Sequence, residues 1–556
     1  DENNRNFILA IVLSMAVLFA WQFFFMPTPP PKEVKPTAEQ QIEPGPPQPD
    51  AEGAPSGAAP PPGTPSAAQL TREQALAQSP RIAIDTPSLK GSIALKGGRI
   101  DDLILKDYRE TVDPTSPNVV LLSPAGSPHA YYAEHGFVAG ANSDLALPTP
   151  DTVWTAETQG PLTPNSPVTL SYDNGKGLKF TRTIAVDDKY MFTVDDTVTN
   201  TGSAAVSLYP YALVSRHETP KVQGFFILHE GLIGVLADSL KEITYHDALE
   251  EPKAESIESQ GGWLGITDKY WATVVIPEQG KPFKATLGGT RAGGRDRFQT
   301  DYLLQQPLTI PAGGSAEVQG RVFAGAKEVH VVDGYAETYA IPKFDLLIDW
   351  GWFYFLTKPL FFALDYFYRL VGNFGVAILI VTVIIKLIFF PLANKSYVAM
   401  SKMKKLAPEM QRIKDRYADD RMRQQQAMME LYKKEKVNPA SGCLPILVQI
   451  PIFFALYKVL FVTIEMRHAP FFGWIKDLSA PDPTSIFNLF GLIPWEPPTF
   501  LMIGIWPIIM GVTMWVQMKL NPAPPDPVQQ KIFTWMPVFF TFLLASFPAG
   551  LVIYWA

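Results

Sequence analysis

One apolar run, residues 373–392, constrains the fold more than any other feature, because it is long enough to cross a lipid bilayer. A helix rises about 1.5 Å per residue and the hydrocarbon core is about 30 Å thick, so about twenty apolar residues suffice. Lys386 lies inside this run, where a charge costs roughly 2.5 to 3.5 kcal/mol and usually faces a bundle interior or a water-filled cavity. Alternatively, the lysine stem lifts its ammonium group to the interface near Leu392.

The charge distribution indicates that the chain faces two compartments. Residues 27–344 hold 26 basic and 38 acidic side chains, whereas residues 395–436 hold 12 basic and 6 acidic ones.

The single cysteine, Cys443, excludes an internal disulfide, and no glycine-lysine pair has the spacing of a nucleotide-binding P-loop. The missing P-loop predicts that the chain does not hydrolyse ATP. We further expect a protein that is not an enzyme, with no catalytic residue, no cofactor, no metal site and no nucleic-acid binding of its own.

Residues 1–26 predict an N-terminal transmembrane anchor, because residues 7–26 are apolar except for Ser14 and Gln22. A cleavable signal peptide is the alternative, but no Ala-x-Ala cleavage site follows the run. Residues 27–79 predict a disordered tether, because 14 of the first 40 residues are proline and such a composition cannot bury a core.

Residues 80–340 predict a large external antiparallel β-sandwich, because short alternating runs are separated by turn residues. Residues 168–184 are typical of a hairpin, since an Asp-Asn-Gly turn separates two apolar-polar alternations. Residues 191–209 predict a second hairpin on the same grounds.

Two pairs of titratable residues in this domain are the candidates for acid–base chemistry. They are His217 with Glu218, and Asp195 with Asp196. Strand ends and loops of an acidic domain usually carry such residues as solvated surface, so we interpret both pairs in that way.

Residues 341–358 predict an amphipathic helix in the membrane interface, because tryptophan and tyrosine are dense there and charges are scattered. Residues 359–556 predict a polytopic α-helical bundle. Its spans are expected at about 372–392, 443–464, 500–518 and 532–547, with a last one begun at residue 549.

Residues 396–437 predict a helical hairpin, because apolar residues recur every three or four positions on both sides of an Asp-Asp cap. The net charge of +6 over residues 395–436 places the hairpin in the cytoplasm, with the N-terminus inside and the sandwich outside. Flexible methionines suit a surface that binds varied apolar partners; core packing between the helices is the alternative. The residues assigned to this recruiting role are Met403, Met410, Met422 and Met429.

Short motifs in fixed order resemble those of a known family along the whole chain. They occupy residues 5–6, 371–375, 390–392, 403–408, 431–439, 442–445, 449–453, 477–480, 510–514 and 547–552. In these motifs the chain resembles the YidC-type membrane protein insertases of Gram-negative bacteria. The resemblance implies a multi-pass protein of the bacterial inner membrane that inserts and helps fold nascent membrane proteins, alone or beside the Sec translocon, with the ribosome as a further partner.

The resemblance also implies a hydrophilic substrate groove centred on Lys386, where the family usually has arginine. The other groove positions carried over from the family are Thr382, Gln449, Ile450, Pro451, Phe453, Tyr554 and Trp555. Two departures from the family pattern are an insertion at residues 488–498 and the lack of the last helix and basic tail, so we expect a truncated chain.

Two other function classes remain open at this point. A solute transporter or channel would use Lys386 as an anion site, but we find no inverted repeats. A membrane-anchored carbohydrate-binding protein would need a clustered His/Glu pocket in the sandwich.

Overall fold

The computed structural model describes residues 70–140, 145–221, 228–250, 254–292, 294–438, 444–493, 495, 497–498, 501–520 and 527–556. The expected N-terminal anchor, 1–26, and residues 27–69 of the expected tether lie outside this range. The tether predicted to reach residue 79 extends too far, because residues 70–79 include a short capped helix, α1 (Arg72–Leu76).

Strands dominate the first part of the described chain. They are β1 (Arg81–Asp85), β2 (Leu89–Ala94), β3 (Arg99–Arg109), β4 (Asn118–Leu122), β5 (Tyr131–Ala139), β6 (Thr155–Ala156), β7 (Val168–Asp173), β8 (Leu178–Val186), β9 (Met191–Asn200), β10 (Val206–His217), β11 (Gly231–Leu236), β12 (Ser239–Thr244), β13 (Glu255–Ser259), β14 (Gly262–Thr267), β15 (Trp271–Ile276), β16 (Phe283–Ala292), β17 (Arg295–Leu304), β18 (Leu308–Ile310) and β19 (Ser315–Ala326). Helices α2 (Tyr245–Glu250) and α3 (Val329–Thr338) accompany them.

The described strands form two antiparallel sheets. One has the order β1-β2-β3-β5-β10-β17-β16-β13, with β4 beside β3 and β18 beside β10; the other has the order β12-β11-β14-β15-β19-β9-β8-β7-β6. Large apolar side chains from both sheets, such as Phe180, Trp263, Phe298 and Phe323, are fully buried. The β-sandwich predicted from the alternating sequence is therefore confirmed.

The hairpin predicted at residues 168–184 is confirmed, since β7 and β8 pair with Val168 opposite Ile184. The second predicted hairpin is wrong, because β9 pairs with β8 and β19 whereas β10 pairs with β5, β17 and β18. The chain crosses between the sheets at Asn200, which is buried and donates from its side chain to the carbonyls of Ala204 and Ile310. A local pattern cannot distinguish a hairpin turn from such a crossing.

The interpretation of Asp196 as a solvated side chain is also wrong. Its carboxylate accepts hydrogen bonds from Nε and Nη2 of Arg182 at 2.7 and 2.9 Å, and both residues are buried between the sheets. An opposite charge makes burial of the carboxylate tolerable, and that partner lies on another strand. Asp195, on the other face of β9, accepts from Gln319 instead.

The single helix predicted over residues 341–358 is wrong in its bounds. The structure has a short 3₁₀ helix, Phe344–Leu347, then an irregular turn, and α4 only at Tyr354–Val371. Left-handed backbone at Lys343 and Gly351, with φ of 51° and 74°, interrupts the helical path. Ile341 and Trp350 are buried, so aromatic density here marks a packed junction as much as an interface.

The remaining described helices form the bundle. They are α5 (Phe374–Arg416), α6 (Arg421–Lys434), α7 (Leu444–Val462), α8 (Ile505–Leu520), α9 (Pro527–Leu544) and α10 (Ala549–Trp555), with 3₁₀ helices at Ile464–Met466 and Ile486–Gly491. Within the described residues, only α5 is long and apolar enough to cross a membrane by length and composition, and α7, α8 and α9 contain shorter apolar helical stretches.

The first helix of the hairpin is not a separate element. It continues α5 without a break, so that one 43-residue helix carries both the apolar run and the charged segment after Leu392. Pro391 and Pro408 lie inside it; each removes one backbone donor, which a long helix with good helix formers on both sides tolerates. Asp420 caps α6 through the amide of Arg423, as the Asp-Asp pair predicted.

The sandwich packs directly on one end of the helical bundle. The Tyr270 hydroxyl donates to Ser479 Oγ at 3.4 Å, and Arg467 Nη2 donates to the carbonyl of Arg109 at 2.7 Å. The ammonium group of Lys269 lies 3.5 Å from the ring centroid of Phe461 at the end of α7. Burial at this junction lowers the pKa of Lys269 to about 8.

Candidate substrate groove

Three of the predicted groove residues meet in one chain of polar contacts. Nζ of Lys386 on α5 donates to Oε1 of Gln449 on α7 at 3.3 Å, and Nε2 of Gln449 donates to the hydroxyl of Tyr554 on α10. The same ammonium group lies 5.9 Å from the Tyr554 ring centroid, within cation–π range. We call Lys386, Gln449 and Tyr554 the polar triad.

The charge of the triad is not neutralised within the described part of the chain. No carboxylate there contributes an electrostatic interaction to Lys386, and the lysine remains exposed at the surface of α5. Gln449 and Tyr554 supply an oxygen and an aromatic face but no negative charge. The arrangement therefore holds an ammonium group in place while leaving its charge available to a further anionic group.

The triad is positioned by close packing of α10 against two helices. A side-chain carbon at Gly550 would lie 3.2 Å from Ile378 of α5 and 3.2 Å from Leu460 of α7, so glycine allows the approach. The start of α10 is also fixed to the segment between α7 and α8, because the amides of Ala549 and Gly550 donate to the carbonyls of Ala480 and Leu478. Tyr554 is consequently buried and held against α7.

Thr382 lies one turn before Lys386, but its hydroxyl donates to the Ile378 carbonyl at 2.6 Å within the same helix. Its donor is thus used locally, and only its acceptor capacity remains for other groups. The structure places Thr382 beside the polar triad without a hydrogen bond to it.

The other predicted groove residues divide into two environments. Phe453 and Trp555 make an edge-to-face contact with centroids 5.3 Å apart, and Trp555 also stacks on Phe540. Pro451 is half-buried, and Ile450 is exposed on α7. An apolar lining of this kind beside the triad suits the hydrophobic part of a ligand, with the triad as its polar end.

A second feature was not predicted from the sequence as a site. A cleft of about 500 Å³ lies between α5 and α8, and it combines apolar side chains with a hydroxyl and an amide; its lining is Tyr397, Val512, Thr513, Val516, Gln517 and Leu520. In the sequence, this cleft is indicated by Gln517, a polar residue within an apolar run.

The four hairpin methionines occupy different environments. Met410 is 3% exposed, and its sulfur lies 4.0 Å from the hydroxyl of Tyr432 on α6, so it packs between the two helices. Met403 is half-buried, whereas Met422 and Met429 are exposed, the former by 83%. The recruiting role predicted for Met410 is wrong for this arrangement, because its side chain has no free surface.

Comparisons with known proteins match the two parts of the chain separately. Residues 81–363 match the family model of the YidC periplasmic domain, and residues 366–556 match that of the 60Kd inner membrane protein. A protein of Bradyrhizobium diazoefficiens named membrane protein insertase YidC is 55% identical, with 100% of this chain and 94% of that protein covered. One of the same name from Rhizobium meliloti is 56% identical, with 100% and 93% covered.

A solved structure described as an active YidC insertase with its first transmembrane domain resolved aligns with 85% of this chain and 89% of its own. It is 19% identical and has a TM-score of 0.33, which is too low to establish a shared arrangement. Full-length identity above one half, together with both family models, establishes the relationship without it. The chain belongs to the YidC family of membrane protein insertases of the inner membrane.

Proposed function

We propose that this chain inserts nascent membrane proteins into the bacterial inner membrane through a hydrophilic groove centred on Lys386. The observation that carries the proposal is the polar triad, in which an ammonium group on an apolar helix is held by neutral partners from two other helices. A merely structural lysine would be expected to pair with a carboxylate.

The physical task of such a groove is to shorten the dry path of a polar segment. Each unsatisfied polar group carried through hydrocarbon costs several kcal/mol. A wet recess around Lys386 lets the leading end of a client cross only part of the membrane, while the aromatic side chains of Phe453 and Trp555 contact its apolar part.

Charge attraction favours movement of acidic client segments from the cytoplasm into the groove and outward. Lys386 attracts acidic residues in the external tail of a client, and the membrane potential contributes roughly 2.3 kcal/mol per charge per 100 mV as negative charge moves outward. The apolar segment then leaves sideways into lipid. Lysine supplies this attraction as a point charge, without the bidentate geometry of arginine.

The orientation follows from the same proposal. The N-terminus and the basic hairpin face the cytoplasm, the sandwich faces the periplasm, and several helices of the bundle span the membrane. Met422 and Met429 lie exposed on the cytoplasmic hairpin, where apolar client segments arrive from the ribosome, and the Sec translocon is a partner for larger clients.

Site-specific crosslinking tests this function directly. A photoreactive residue at Ile450, exposed on α7 next to the triad, should crosslink to a ribosome-bound nascent membrane protein. The control is Tyr366, a large exposed side chain that lies on the external helix α4, away from the triad. Equal crosslinking at both positions, or none at Ile450, would refute a groove at the triad.

A further inference from the structure

A cluster of exposed apolar side chains lies on the external segment between α7 and α8. It comprises the 3₁₀ helix Ile486–Gly491 together with Leu492, Ile493 and Trp495, which we call the apolar loop. Every large side chain described in it is exposed, and Leu492 is 83% exposed. Contiguous exposure of this extent marks a contact surface.

The base of the apolar loop is fixed to the start of α8. Asp482 is buried and accepts hydrogen bonds from the amides of Thr484 and Trp506, both at 3.0 Å, and from the indole of Trp474 at 3.2 Å. The Thr484 hydroxyl accepts the amide of Ile505, the first residue of α8. These bonds join the loop to the helix terminus and satisfy its leading backbone donors.

The next turn of the loop is closed by its own bonds. The hydroxyl of the buried Ser485 donates to the carbonyl of Leu501 at 3.0 Å, and the Phe490 amide donates to the Ser485 carbonyl at 2.8 Å. Leu489 and Phe490 both have left-handed backbone, with φ of 48° and 59°. Non-glycine residues keep this conformation only where the surroundings impose it, so the outward direction of these side chains is built into the loop.

Charge and position identify the medium that covers this surface. Residues 483–495 contain no Asp, Glu, Lys or Arg, so the loop offers nothing to a charged partner. Exposed apolar side chains continue from the loop onto α8 at Ile509 and Trp515. The loop contains Trp495, and Trp474 donates to Asp482 at its base; tryptophan is enriched at the membrane–water boundary.

We propose that the apolar loop lies in the outer leaflet, at the boundary between lipid headgroups and acyl chains. It acts as an interfacial wedge whose rigid base holds the external end of α8 at a fixed depth. The choice of the outer leaflet rests on the orientation given in the proposed function, but the lipid contact of the loop does not depend on the substrate groove.

Fluorescence quenching in nanodiscs tests the position of the loop. In the full chain with Cys443→Ser, an environment-sensitive fluorophore is attached to Leu492→Cys, and phosphatidylcholine nanodiscs carry either shallow spin-labelled lipid or none. Because Leu492 makes little packing contact, its replacement leaves the loop intact. Leu489→Cys gives a second site on the same loop.

Two labelled control positions calibrate the measurement. Ile388→Cys, exposed on α5, reports the bilayer interior, and Lys176→Cys, on the turn between β7 and β8, reports water. The proposal expects strong quenching of the Leu492 label by shallow spin-labelled lipid and several-fold weaker quenching by aqueous iodide than at Lys176. Iodide quenching equal to that at Lys176 overturns it, as does shielding from both quenchers, which would indicate a protein partner instead.

Discussion

Oε1 of Glu465 accepts a hydrogen bond from the backbone amide of Val329, with 2.7 Å between Oε1 and the amide nitrogen. A residue that follows α7 therefore caps the first residue of α3. The two residues are far apart in sequence, and the bond joins the end of the sandwich to the helical bundle. Glu465 is half-buried, but its second carboxylate oxygen is buried and has no partner in the described residues. Burial raises the pKa of Glu465 to about 7, and the charges of Glu328 and Asp365 add to the rise.

This junction should weaken as the pH rises. The pKa of Glu465 is about 4.5 when unfolded and about 7 in the structure, so the folded state binds more protons between these values and loses stability as pH increases through about 7. Hydrogen exchange at Val329, corrected for the intrinsic rate, should therefore quicken from about pH 6 to about pH 8. Glu465→Gln keeps an acceptor oxygen and should abolish the pH dependence; an unchanged profile in this variant would contradict the assignment.

Lys386→Arg should retain insertion, because it keeps the positive charge, whereas Lys386→Ala should reduce it several-fold for clients with acidic external tails. Lys386→Glu should be worse, since it repels those tails. Growth and client insertion in cells depleted of the native protein measure the effect. Lys402→Ala, on the exposed part of the hairpin, controls for loss of a lysine as such. Full activity of Lys386→Glu would contradict this prediction. It would favour the alternative in which the lysine side chain only extends its ammonium group to the membrane interface.

Tyr554→Phe removes the acceptor of the Gln449 amide and should cost about 1 to 3 kcal/mol locally, because a partly buried donor is left unpaired. If the triad acts as a unit, the insertion defects of Tyr554→Phe and Lys386→Ala will not add in the double variant. Client insertion in all three variants gives the coupling. Simple additivity would show that Tyr554 does not position the lysine.

The exposed and buried hairpin methionines should respond differently to truncation. Met410→Ala should destabilise the contact between α5 and α6 by about 2 to 5 kcal/mol, as expected for a buried apolar side chain. Met422→Ala should leave hydrogen exchange of the hairpin unchanged and lower crosslinking to nascent chains. A client-binding defect confined to Met410→Ala would favour core packing as the only role of these methionines.

Deletion of residues 81–320 should leave insertion of a small client intact, because in the proposed function clients reach the groove from the cytoplasm. The deletion removes the contacts of Lys269, Tyr270 and Arg109 with the bundle but keeps Val329, so a lower melting temperature is expected. Complementation and client insertion are measured at equal membrane levels of the protein. Lost insertion at normal levels would place the sandwich in the mechanism.

The features predictable from sequence were those whose determinants lie close together or in fixed motifs. The β7–β8 hairpin followed from its Asp-Asn-Gly turn, and the triad positions followed from family motifs. The passage from β9 to the other sheet could not be predicted, because Asn200 bonds to Ile310, which is distant in the chain. Arg182 lies opposite Asp196 on the neighbouring strand, but the pair is buried because Arg182 bonds to the carbonyls of Gly98 and His135, on distant parts of the chain. The exposed loop beyond Ser485 was recognisable only as an insertion.

The unbroken course of α5 has a mechanical consequence. From Lys386 to its last residue, Arg416, the helix extends roughly 45 Å, more than the thickness of the hydrocarbon core. Its far end packs against α6 through Met410, while its near end carries the triad lysine. A displacement of the hairpin would therefore reach Lys386 through a single helix, with Pro391 and Pro408 as the positions at which that helix can bend.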